Sequence, residues 1–72
     1  MFQLAEKIDK AAELKVKCTL IDKMGKYHHG VMTDSWVRLS AGKMRGKVRF
    51  QTEKAELEID ANDILDILFE KT

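Results

Sequence analysis

Four cations at alternate positions, Lys43, Arg45, Lys47 and Arg49, are the residues whose type and spacing most readily suggest chemistry. A comb of that kind presents charge-assisted donors along one strand face, the arrangement that meets phosphate oxygens. Lys26, Tyr27, His28, Trp36 and Arg38 add further cations and two large rings. A base stacked on Tyr27 or Trp36 beside cationic side chains would be held as single strands are held, with little sequence readout. The candidates for nucleic-acid contact are Lys26, Tyr27, His28, Arg38, Lys43 and Arg45. The competing reading is that Trp36 is core and the lysines are solvated.

Other chemistries find fewer residues. His28 and His29 are sequence neighbours, so on a strand they point to opposite faces and share no metal. Cys18 with one of them makes two ligands, short of the three or four of a zinc site. Cys18 sits in the alternation Val16, Cys18, Leu20, which reads as a small core residue rather than a nucleophile with a base beside it. Glu56, Glu58 and Asp60 share one strand face, where opposed cations explain them, and the chain has no glycine-rich phosphate loop. The reading is non-enzymatic, with no cofactor and no metal.

The elements that must position these residues follow from periodicity. Phe2, Leu4, Ala5, Ile8, Ala11, Ala12 and Leu14 recur at helical spacing, so residues 1–14 form an amphipathic N-terminal helix. From Lys15 the period becomes two. Strands follow over 15–20, 26–33 and 36–41, with a turn at Asp22–Gly25 and a tight reversal at Asp34-Ser35. The third strand sets Val37 and Leu39 against Trp36, Arg38 and Ser40, and Gly42 and Gly46 loosen the next connection.

The clearest pairing is the hairpin Lys47–Gln51 with Glu56–Asp60. A loop over Thr52–Ala55 sets Gln51 opposite Glu56, Phe50 opposite Leu57, Arg49 opposite Glu58, Val48 opposite Ile59 and Lys47 opposite Asp60. Lys47 and Arg49 are thereby answered by acids, whereas Lys43 and Arg45 lie beyond the matched pairs. The last element, Asp63–Phe69, fits a helical turn or a buried strand. Its β-branched Ile64 and Ile67 and its shortness favour a strand, and Asp60 would be the N-cap of the helical alternative.

The fold class is mainly β (α+β). One domain spans 1–72, with a helix over 1–14 and a small closed or half-open antiparallel barrel of five or six strands over 15–69. Net charge is near +1, but residues 1–54 hold twelve Lys/Arg against six acids and residues 55–72 one against six. That asymmetry marks either a nucleic-acid face or internal neutralisation. The single cysteine suits a reducing cytosol, the charged start lacks the apolar stretch of a signal peptide, and no run is long enough to span a membrane. The expected location is cytoplasmic, with no membrane partner.

At this point the spacings resemble those of the Sm-like family, the small barrels of the Sm, LSm and Hfq proteins. Gly25-Lys26-Tyr27-His28-His29-Gly30, followed by Val31 and Met32, matches the glycine spacing of its first motif. Ile59, Ile64 and Ile67 match the three apolar positions of its second. A generic SH3-like barrel fits much of the same pattern. The departures are specific: Asp34 has no Asn following it, and Asp60-Ala61 stands where the family has Arg-Gly. The resemblance implies an RNA-associated adaptor or regulator. The rival class is a protein–protein interaction module without nucleic-acid binding. The resemblance also implies a homo-oligomer in which Ile64, Leu65, Ile67, Leu68 and Phe69 pair with the edge of the fourth strand, Lys47–Gln51, of a neighbouring copy. The alternative is a monomer whose Phe2, Leu4 and Ile8 fold back over that edge.

Overall fold

The computed structural model describes residues 3–70. Helix α1 (Gln3–Leu14) buries Ala5, Ile8 and Ala11, the stripe its apolar spacing implies. It stops at Lys15, whose φ of 51° is left-handed and whose N–H reaches the Ala11 carbonyl at 2.9 Å. The first strand therefore begins at residue 17, not 15. Phe2 lies outside the described residues.

Seven strands follow among the described residues: β1 (Lys17–Asp22), β2 (Tyr27–Ser35), β3 (Arg38–Ser40), β4 (Lys43–Arg45), β5 (Lys47–Thr52), β6 (Glu56–Asp60) and β7 (Ile64–Phe69). Five of them form one antiparallel sheet in the order β6-β5-β2-β1-β7. Among the described residues β3 and β4 pair only with each other. The expected five or six strands in one closed or half-open barrel are thus corrected. The sheet curls, but its end strands β6 and β7 do not pair, so no closed barrel forms. A 3₁₀ turn over Ala61–Asp63 links them. It is fastened to both sides of the gap, since Ala61 N–H donates to the Gly46 carbonyl and the Asp63 carbonyl accepts from Lys23 N–H, each at 2.9 Å.

The curl comes from β2. This nine-residue strand pairs with β1 over Tyr27–Val31 and with β5 over Gly30–Ser35, with an irregularity between Met32 and Asp34. Gly30 sits where it serves both neighbours. A Cβ there would lie 1.9 Å from the Gln51 carbonyl oxygen, so only glycine lets β5 approach. β2 runs through Asp34-Ser35 rather than reversing there, and the chain turns at residues 36–37 instead.

The β5–β6 register has the five pairs expected, from Lys47 opposite Asp60 to Gln51 opposite Glu56. The terminal apolar element is a strand, and Asp60 caps the 3₁₀ turn before it by accepting from Asn62 N–H at 2.9 Å. Cys18, Leu20, Met32, Val48, Phe50, Ile64 and Ile67 form the core together with Ile8 and Ala11 from the helix. Among the described residues no helix is long and apolar enough to cross a membrane.

Candidate nucleic-acid interface

The stretch expected to be a third barrel strand and a loose connection is instead a self-contained hairpin. Its two-residue turn, Ala41-Gly42, has φ values of 51° and 76°. Positive φ at both central positions is the turn geometry whose twist suits a tight hairpin. The register sets Arg38 opposite Arg45, Leu39 opposite Met44 and Ser40 opposite Lys43. Side chains alternate across the ribbon, so Arg38, Ser40, Lys43 and Arg45 share one face. Met44 packs against the core from the other face. The cationic face is therefore turned to solvent.

Its electrostatics are unbalanced. Arg38 and Arg45 stand directly across from each other, an arrangement that destabilises an isolated pair of strands. Among the described residues no carboxylate lies within 4 Å of Arg38, Lys43 or Arg45. Lys47 and Arg49 differ. Lys47 Nζ reaches Glu58 at 3.2 Å and Arg49 Nε reaches Glu56 at 3.4 Å. Both ion pairs run diagonally, two residues off the backbone register that sets Lys47 opposite Asp60 and Arg49 opposite Glu58. Both are largely exposed and contribute little stability, roughly 0–1 kcal/mol each.

Trp36 stands at the entrance to the hairpin. Its N–H donates to the Lys47 carbonyl at 2.8 Å, and Gly46 passes so close that a Cβ would fall 2.1 Å from the Trp36 carbonyl oxygen. The indole is not core. It is 46 % exposed, and the Arg49 guanidinium carbon lies 5.1 Å from the ring centroid, a cation–π contact. Trp36, Gly46, Lys47, Arg49 and Glu58 line a shallow groove there.

The six candidate residues fall into two groups. Arg38, Lys43 and Arg45 come together on the hairpin. Lys26, Tyr27 and His28 lie at the β1–β2 turn, with the length of β2 between the groups. At that turn Asp22 accepts from the backbone N–H of Met24 at 2.9 Å and of Lys26 at 3.0 Å, and its second oxygen meets His28 Nε2 at 2.9 Å. The His28 hydrogen bond, followed by the Lys26 N–H, holds the Asp22 carboxyl below its ordinary range. Tyr27 is exposed. His29 Nδ1 meets Thr19 Oγ1 at 2.9 Å, so the two histidines serve separate partners. Cys18 is fully buried, and burial pushes its thiol pKa up, away from the reactive thiolate. Among the described residues no three His, Cys, Asp or Glu side chains converge to hold a metal.

The five C-terminal apolar residues also divide. Ile64 and Ile67 are buried in the core, Phe69 packs against it, and Leu65 and Leu68 are exposed on the edge strand. What the sequence reading overlooked is the hairpin itself. Its signal is the near-mirrored pattern Arg-Leu-Ser and Lys-Met-Arg on either side of Ala41-Gly42. Comparison with protein-family models, curated proteins and solved structures returns no match for this chain.

Proposed function

We propose that this chain is a small non-enzymatic RNA-associated adaptor that holds single-stranded RNA by its phosphates on the outward face of the β3–β4 hairpin. The observation that carries the reading is Arg38 directly opposite Arg45, beside Lys43, with no carboxylate within 4 Å among the described residues. Such a juxtaposition is relieved by an anion between the cations, and a phosphate oxygen accepts from both guanidinium groups. The exposed Trp36 ring offers a stacking surface at the base of the same hairpin. The resemblance to Sm-like chains, an analogy of fold, favours RNA over other polyanions. A salt titration of oligo-RNA binding tests the reading. Three phosphate contacts give a slope of log affinity against log salt of roughly −2 for a single strand. No retention of RNA at low salt rejects it.

A second reading has its own observation. Among the described residues β6 and β7 are each hydrogen-bonded on one side only, with Leu65 and Leu68 exposed on β7, whereas β5, the fourth strand expected to offer an edge, lies between β6 and β2. Open edges of this kind accept a further strand, which supports a protein-interaction module docking through a sheet edge. Another copy of the chain is one such partner, as the resemblance implies. Sedimentation at micromolar concentration tests that partner. A single-chain mass, unchanged by Leu68→Lys, rejects it.

A further inference from the structure

We propose that the gap between β6 and the β1–β2 turn receives an extended basic segment of a partner protein, added to β6 as a further strand. This deepens the edge-docking reading and is independent of RNA binding. Three features meet at this place. β6 is an end strand, paired with β5 alone among the described residues, so its outer backbone donors and acceptors are available to a partner. A groove runs between β6 and the turn, with apolar contact from half-buried Leu57 and Ile59 and from Met24, which is 85 % exposed. Four carboxylates line it against Lys23 and His28: Asp60 and Asp63 have no cation within 4 Å among the described residues, whereas Asp22 is met by His28 and Glu58 by Lys47.

Strand addition draws affinity from main-chain hydrogen bonds and specificity from alternate side chains. The groove asks for apolar residues toward Leu57 and Ile59 and for Lys or Arg toward Asp60 and Asp63. A second copy pairing through its β7 fits this less well. Its β7 carries Asp66, with Glu70 just beyond and no cation over Ile64–Phe69, so pairing would align carboxylates with Glu56, Glu58 and Asp60. A foreign segment alternating cationic and apolar residues satisfies both requirements.

The test uses the full ¹⁵N-labelled chain and a capped hexapeptide of alternating lysine and valine, with a glutamate–valine hexapeptide as control. The lysine peptide should shift the amides of Leu57–Asp60 and of Lys23 and Met24 saturably, while the control leaves them in place. Asp63→Lys, at an exposed position, should weaken binding about fivefold or more while the rest of the spectrum stays native. Equal response to both peptides overturns the proposal. Shifts confined to Ile64–Phe69 also overturn it but leave edge docking standing. No response at either edge overturns both. A dimer in the absence of peptide, with Leu57–Asp60 amides at its interface, assigns the groove to a second copy and overturns the foreign-segment proposal.

Discussion

Single residues fix both the curl of the sheet and its response to acid. Gly30 is the point where β2 passes from one neighbour to the other, and the Gln51 backbone occupies the space a side chain would need. Neither neighbour is a flexible side-chain end, so two strands must part. Gly30→Ala should destabilise the fold by about 3 kcal/mol or more in urea denaturation, and a loss below about 1 kcal/mol would contradict this account of the bend. Asp66 gives a second test. Lys7 Nζ donates to it at 2.9 Å, joining helix to β7, and this bond, followed by the Ile67 N–H, lowers the carboxyl pKa in the folded state. A carboxyl with a lower folded than unfolded pKa adds stability above its unfolded value, near 4, and loses it as pH falls through the folded value. Asp66→Asn should therefore cost a few tenths to about 1 kcal/mol at pH 7, since the pair is more than a third exposed, and the difference should close below about pH 4. A difference constant from pH 7 to pH 2 would count against the ion pair.

At the scale of elements, the β3–β4 hairpin holds the proposed site and carries a local strain. Ala41 takes a left-handed conformation that disfavours residues with a Cβ, with Asn and Gly the least affected. Ala41→Asn should raise stability by about 0.5–1 kcal/mol and leave RNA affinity unchanged, measured by thermal melts and anisotropy on the same sample. A loss of stability would mean that the turn differs from the one described. The alanine also explains why this hairpin was hard to read from sequence. Asn-Gly or Asp-Gly would have announced a tight turn, whereas Ala-Gly reads as a loosened connection. The β5–β6 hairpin was legible because charge and apolar matching agree on one register. Its ion pairs were not, since long side chains reach diagonal partners that Cα pairing does not specify. β7 was legible through its β-branched residues. The division between buried Ile64 and Ile67 and exposed Leu65 was not, because the register shift near Asp22 breaks the simple alternation.

Across the whole molecule, a helix and a curled sheet share one small core, and the charge asymmetry becomes two surfaces. Ile8 is fully buried among residues of β1, β2, β5 and β7. Ile8→Ala should lower stability by about 2–5 kcal/mol, the range for truncating a large core side chain, and a near-neutral effect would show the helix to be dispensable. The basic surface is the hairpin. The acidic one lies along β6 and the turn after it. Between them Lys47 and Arg49 are neutralised by Glu58 and Glu56. In the proposed function this division separates the cations that meet RNA phosphates from those already neutralised by acids on β6. The most direct measurement is a salt titration of single-stranded RNA binding for Lys43→Ala/Arg45→Ala beside Arg49→Ala. The double variant should flatten the slope of log affinity against log salt by roughly 1.4, two contacts at about 0.7 each, while Arg49→Ala keeps the parent slope. Equal losses in the two proteins, or a larger loss in Arg49→Ala, would contradict it.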